Sequence, residues 1–452
     1  MVTFKRPQQS RVALPRVIGL GGSFAIMVGT VIGSGIFLVP HNVALQVHSA
    51  PAMMAVWGLG GLLTLAGALS LAELGAAMPH TGGVYVYLRE AYGRLPAFLY
   101  GWGMLLVIQS GSIATLAVAF GIYSGQFVPL TPTEQKMISG GVIALLTLVN
   151  VLGTRQGSIV QSVFTWAKLA GLGLIIAAPL FSHHAAIPEA LNAPPAAFSI
   201  RAFGVALIGV LWSYEGWHML SYTAGEVKDP ACTLPRSYLL GALAVMGVYC
   251  GANLAYLRIL SPALIAQHQR VASFALRVAL GPHGASFVTV LILCSIFGAL
   301  NGSTLTGARA YFAMAQDGMF FRFAGRVHGR FRTPAGALIL QGGWTTLLAV
   351  SGSYEQLFTY VIFSGWLFYA AAVLAVIVLR RRQPQLERPF KVRGYPLMPV
   401  AFTAAALLIL ANTLSERPRE SLLGLALILT GIPIYWAWIR SGRRKTVGGA
   451  AP

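Results

Sequence analysis

Charge is what this sequence has least of. Asp, Glu, Lys and Arg make up 10% of its 452 residues, against about 25% in an ordinary soluble domain. So few charges cannot clothe a water-soluble protein of this length, and a soluble globular fold is excluded. Acids are the scarcer sign, 12 against 32 Lys and Arg. The three cysteines, Cys232, Cys250 and Cys294, give no extracellular disulfide framework. There is no H-E-x-x-H, no G-x-S-x-G and no pair of acids at helical spacing, so a membrane-embedded enzyme has no sequence support. His41 and His48 lack metal spacing, and neither a metal nor a cofactor is expected. A channel would want a repeated filter or rings of charge, and neither is present. No loop or tail is long enough to fold alone, so residues 1–452 are expected to form a single transmembrane domain. A cleavable signal peptide is also missing: residues 1–15 are polar and basic, and the first apolar run is too long for one.

What is abundant is apolar sequence, 56% of the chain. It comes in long runs such as 52–78, 137–152 and 359–379, and roughly 20 apolar residues cross a bilayer. Twelve spans are expected, near 16–45, 51–78, 94–128, 137–153, 157–181, 201–224, 236–259, 284–316, 335–351, 355–379, 396–413 and 420–439. The formal charge of +20 could suggest nucleic acid, but the basic residues fall in the gaps between spans and crowd one side. That is the positive-inside bias. It puts both termini in the cytoplasm and leaves the lipid bilayer, not nucleic acid, as the partner. The most basic gap, Arg380-Arg381-Arg382 to Arg393, reads as a topology determinant, with contact to anionic lipid as the other reading.

Two spans are interrupted. The first carries Gly29-Thr30-Val31-Ile32-Gly33-Ser34-Gly35-Ile36-Phe37, three glycines within seven residues at mid-span. Each glycine opposes continuous helix by about 1 kcal/mol, and a break inside a bilayer is tolerated only where it lines a cavity. Close packing of helices through small residues is the competing explanation. The sixth span reads Leu211-Trp212-Ser213-Tyr214-Glu215-Gly216-Trp217-His218, an acid, a glycine and three aromatics in an apolar run. Spans one and six open two blocks of five. Interrupted segments at matching positions in two halves point to an inverted-repeat transporter with its site at the breaks. The repeats would cover about 16–181 and 201–379, with additional helices at about 396–439.

At these residues the chain resembles the amino acid–polyamine–organocation (APC) superfamily, and within it the L-amino acid transporter family and its bacterial amino acid permease relatives. The likeness runs over almost the whole length. It rests on Val28 to Pro40, on Ala72-Glu73-Leu74-Gly75 with Gly82 to Gly93, and on Trp212 to Trp217 with Gly225 to Pro230 and Leu234-Pro235-Arg236. Phe297 to Ser303 with Arg309, and Leu386 to Val392, complete it. The resemblance implies an all-α polytopic membrane fold of 12 transmembrane helices, a LeuT-like 5+5 inverted repeat with helices 1 and 6 broken, working by alternating access. It implies a Na⁺-independent secondary transporter, exchanger or facilitator, of L-amino acids, neutral ones first. A cationic amino acid or polyamine transporter with proton coupling is the alternative. Eukaryotic members join a heavy chain through a cysteine after span three. The matching loop 128–136 has none, so a lone subunit in a bacterial inner membrane is expected, without a disulfide-linked heavy chain.

A broken helix complements both ends of a free amino acid. The half-helix starting after Gly35 aims amide donors and a positive dipole end at the break, suiting a carboxylate. Ser34, Gly35 and Ile36 supply the amides, with Gly33 making room. The half-helices ending near Ile32 and Trp212 leave carbonyls that suit an ammonium, with Ser213 and Tyr214 beside them. Trp212 matches the family's aromatic gate, packing being the alternative. Glu215 either meets a cationic side chain or proton, or is a buried ion with a partner such as Lys168. Glu73, beside Arg89 and Arg94 in sequence, is expected to be structural. The resemblance also implies that the Lys168 ammonium stands where Na⁺-coupled relatives bind their cation, between spans one and eight. The family's serine one turn before Ser303 is here Ala299, so Ser295 or Ser303 would have to complete that site. Otherwise Lys168 snorkels to the interface.

Overall fold

A computed structural model describes residues 14–181, 199–351, 354–416 and 418–447. The apolar runs become helices because each satisfies its backbone internally, as lipid requires. In chain order they are α1 (Leu20–Val31), α2 (Gly35–Val47), α3 (Ala50–Ala77), α4 (Val84–Tyr92), α5 (Arg94–Gly103), α6 (Gln109–Ser124), α7 (Pro132–Leu152) and α8 (Thr154–Ala177). After them come α9 (Ile200–Ser213), α10 (Pro230–Ile259), α11 (Pro262–Gln267), α12 (Val271–Leu280), α13 (Pro282–Gln316), α14 (Ala335–Ser351), α15 (Tyr354–Arg382), α16 (Leu397–Glu416), α17 (Pro418–Leu429) and α18 (Gly431–Val447). Side chains cap several helix starts: Thr131 and Glu134 form a reciprocal capping box around Pro132, and Ser49, Ser199 and Ser261 each accept from an amide three residues on.

Among the described residues, nine helices are long and apolar enough to cross a membrane. The bent pair α1 and α2, at 41°, makes a tenth span. The other two expected spans are the shorter apolar helix α14 and the interrupted sixth, α9 followed by a 3₁₀ segment, Trp217–Glu226. This is an all-α polytopic membrane fold with helices one and six broken. Its outer faces carry exposed Leu62, Leu145, Leu148, Val163, Leu174 and Leu408, the reverse of a soluble protein and suited to lipid. The amphipathic α4 and the pair α11 and α12, between spans, were not anticipated.

Polar groups turn inward and pair there. Glu226 and Arg309 are both wholly buried. Arg309 donates to both carboxylate oxygens at 2.8 and 3.0 Å, while Thr154 donates to Glu226 at 2.9 Å and accepts from Arg309 at 3.0 Å. These three residues tie the end of span six to spans five and eight. Next to them, Ile18 and Val227 are bridged through Ile18 N to Glu226 O (3.0 Å) and Lys228 N to Ile18 O (2.8 Å). The cluster closes the end of the bundle that carries residues 14–18.

Glu73 is structural, but its partners are not Arg89 and Arg94. Arg380 grips it from the end of α15 with bonds of 2.8 and 2.6 Å, and the Val392 amide adds a third at 2.7 Å. Arg89 instead bonds Asp317 and Glu90. The loop after α15 folds back over the end of α3, a long-range contact that sequence neighbourhood does not reveal. Glu73→Gln is expected to destabilise the purified protein by about 1–2 kcal/mol, since the part-exposed Arg380 regains water when the charge-assisted bonds weaken. A thermal melt checks this, and an unchanged midpoint would contradict the pairing.

Candidate substrate site at the helix breaks

The two breaks meet. α1 stops at Val31 because Ile32 turns to an extended conformation, with its amide still bonded to Val28 O at 2.9 Å. α9 stops at Ser213, and Gly216 then adopts φ 111°. A side chain is strained there, and a Cβ would lie 2.8 Å from Thr30 O. Gly35 is pinned differently, because its Cβ would lie 2.6–2.9 Å from the Oγ, Cβ and Cα of Ser213. Glycine at both positions lets the broken segments touch. The Tyr249 hydroxyl joins them, 3.2 Å from Val31 O and 2.8 Å from Ser213 O, while the Thr30 hydroxyl, bonded to Ile26 O in its own helix at 2.7 Å, lies 3.2 Å from Gly216 O.

Between the breaks is a cavity of about 50 Å³. Of the sequence-derived residues, Gly33, Ser34, Gly35, Trp212, Ser213, Glu215 and Ser303 line it. The Ser34 hydroxyl is buried with no hydrogen-bond partner, and of the amides in the first turn of α2 only that of Phe37 is bonded at the helix start, to Ser34 O at 3.1 Å. Glu215 lies along the wall with one oxygen, Oε2, unbonded.

Ile36 and Tyr214 are not on the cavity wall. The Tyr214 hydroxyl turns away to Trp57 O at 3.1 Å, and its ring packs on Trp57 and Tyr249. Ile36 is fully buried in the apolar core. The Ile32 carbonyl is already engaged by Lys168 and Ser295. Sequence reading also missed Ser112, Thr115 and Leu116, which a third-span helix brings to the wall. That helix carries a π segment at Met104–Ile108, a local register shift often found near functional sites. The polar run Gln109-Ser110-Gly111-Ser112 inside an apolar span was the available signal.

Lys168 lies behind the break and is wholly buried. Its ammonium donates to Gly29 O at 3.0 Å, Ile32 O at 2.6 Å and Ser295 O at 2.9 Å. Three donors meet three carbonyls, two ending α1 and one on α13. The Ser295 hydroxyl lies 3.0 Å from Ile32 O and 2.9 Å from Gly33 O. Snorkelling is excluded for a side chain so placed. Ser303 does not join this group. It faces the cavity, with its hydroxyl 3.6 Å from Met219 Sδ. Lys168 is not the partner of Glu215, which instead lies 3.5 Å from His218 Nδ1.

A polytopic helical membrane protein with a small cavity at two apposed helix breaks, apolar for the most part with a few polar groups on its wall, is built as a secondary transporter is built. Residues 18–432 match the family model for amino acid permeases, and the chain belongs to that family. It is similar to the serine/threonine exchanger SteT of Bacillus subtilis, with 34% identity covering 94% of this chain and 97% of that one. It is equally similar to two mouse proteins. The b(0,+)-type amino acid transporter 1 is 34% identical over 94% of this chain and 88% of its own, and the Asc-type amino acid transporter 1 is 34% identical over 94% and 82%.

Proposed function

We propose that this permease is a Na⁺-independent exchanger of small neutral L-amino acids, working as a lone subunit in a bacterial inner membrane with both termini cytoplasmic. The observation that carries this is the shared cavity of the two breaks, with unpartnered Ser34 on its wall and Lys168 filling the place behind it. The substrate carboxylate sits against the amides of Ser34 and Gly35, which line the cavity, and the Ser34 hydroxyl. The ammonium takes the carbonyl end at Val31, whose oxygen has two lone pairs and carries the Tyr249 hydroxyl at 3.2 Å, which leaves room for a second donor. Trp212 closes over the bound molecule. A cavity of about 50 Å³ holds roughly three to five water molecules, a space that takes serine, threonine or alanine as it stands, while a longer side chain needs its wall to widen. The exchanger and the two transporters named above support transport rather than catalysis.

The Lys168 side chain donates to the carbonyls at the end of α1 and links them to α13. A sodium ion bound by backbone carbonyls would do the same work, so the cycle needs none. Residues 16–181 and 201–379 form the two inverted repeats, with 396–439 appended. The end closed by Glu226, Arg309 and Thr154 is the cytoplasmic one, and its opening releases substrate inward. Cationic amino acids remain a second reading because Glu215 lies on the cavity wall.

A thermal-shift screen of purified protein against the twenty amino acids tests the assignment. Saturation at about 100 times Kd stabilises the native state by about 2.7 kcal/mol. Serine, threonine or alanine should raise the melting temperature, and no shift with any amino acid would contradict the reading. Trp212→Ala should weaken binding of the same amino acid about tenfold, near 1.4 kcal/mol, with expression unchanged. Equal loss of expression and binding would make Trp212 a packing residue.

A further inference from the structure

One buried titratable group is not used by the function proposed above. His218 is wholly inaccessible, and neither of its ring nitrogens has a hydrogen bond. Its imidazole is stacked on Tyr369 at 4.2 Å and boxed edge-on by Trp217 and Tyr222. Nδ1 lies 3.5 Å from Glu215 Oε1, while Glu215 Oε2 is buried and unbonded. Glu215 in turn lines the cavity. An imidazole with two open nitrogens beside an under-bonded carboxylate is expensive in an apolar bundle unless the two share a proton.

The other titratable groups facing the pair are phenols. Tyr369 of α15 lies beside the carboxylate, Tyr222 lies on the 3₁₀ segment, and Tyr100 of α5 bonds Tyr222, with Tyr311 of α13 behind it. Phenols stay neutral at physiological pH. No lysine or arginine among the described groups supplies a permanent countercharge here.

We propose that Glu215 and His218 act as one proton-holding pair on the cavity wall, for whose negative charge a proton and a cationic substrate side chain compete. The proposal rests on the placement of the substrate in this cavity. With one proton, on either residue, the pair has no net charge and the cavity takes a neutral amino acid. With none, the pair carries one negative charge and takes the ammonium or guanidinium of lysine, ornithine or arginine. When a cationic amino acid replaces a neutral one, a proton leaves the pair for the water on the same side. The loaded cavity keeps the same net charge, so exchange of a neutral for a cationic amino acid is electroneutral.

Coupled titration fixes the direction of the histidine variant. The pair's proton affinity sums over two sites, so losing the imidazole can only move protonation to lower pH. The test uses liposomes holding the purified protein at the same pH on both faces. Labelled L-serine is displaced by unlabelled serine or by L-lysine between about pH 5.5 and 8. In the parent, the affinity of lysine relative to serine should fall on acidification, approaching tenfold per pH unit. Glu215→Gln should remove lysine competition at every pH. His218→Gln should move the fall to lower pH. If that variant fails to fold, Glu215→Gln, nearly isosteric and at a partly open wall, still decides. A flat pH response in the parent, or lysine competition surviving in Glu215→Gln, overturns the pair while serine self-displacement stands. Absence of serine self-displacement overturns the substrate assignment and the pair with it.

Discussion

Gly35→Val is expected to leave the protein inserted but unable to bind substrate, while Gly33→Ala keeps the fold and only trims the cavity. At Gly35 an added Cβ would stand 2.6 Å from Ser213 Oγ and 2.9 Å from Ser213 Cα. The backbone of the sixth span cannot yield as a flexible side-chain end can. Overpacking of this kind costs about 1–3 kcal/mol before any ligand is considered. The loss concentrates on binding, because the clash separates the two breaks whose apposition forms the cavity. At Gly33 the nearest atoms are 3.7 and 3.9 Å away, on Leu116 and Ala299, ordinary contact distances. Isothermal binding of the best amino acid, with size-exclusion profiles as the folding control, separates the two variants. Normal affinity in Gly35→Val would remove the basis for a site at the breaks.

Lys168→Ala is expected to cut exchange by about a hundredfold or more, equivalent to about 2.7 kcal/mol, with a smaller effect on equilibrium binding. The change strips the carbonyls of Gly29, Ile32 and Ser295 of a shared donor. Each charge-assisted bond is worth about 1.5–3 kcal/mol, although water entering the space restores part of that. What water cannot restore is one rigid group holding the end of α1 against α13 while the rest of α1 rearranges around substrate. Comparing exchange rate with affinity in the variant reads this directly. Unimpaired exchange with normal expression would leave Lys168 as packing alone.

Both breaks were legible in the sequence, because lipid penalises an unpaired backbone and each run sets glycine mid-span, Gly216 beside the acid Glu215, although Gly29 serves close packing against Gln161 and Thr165. The position of Lys168 between spans one and eight was also legible, through the resemblance. Which serine would complete it was not. Ser295 and Ser303 lie eight residues apart on one helix, little more than two turns, and only the packing of α13 on α1 selects Ser295. Tyr214 was misplaced for a similar reason. At a helix end one backbone angle re-aims a side chain, and Tyr214 leaves the cavity for Trp57 and Tyr249. The third-span residues Ser112 and Thr115 were missed because nothing local says that an apolar span carrying a π segment turns its polar run toward a distant break. Glu73 shows the same limit at longer range, since Arg380 is remote in sequence and adjacent in the fold.

The central claim is exchange of small neutral amino acids at the two helix breaks without sodium. Counterflow in proteoliposomes measures it most directly. Vesicles loaded with unlabelled serine are diluted into labelled serine in a medium free of Na⁺, with choline as the balancing cation. The expected result is transient accumulation of label that depends on internal serine, is unchanged by added Na⁺ and is absent with Gly35→Val. Accumulation that requires Na⁺, or none with any neutral amino acid inside, would contradict the claim.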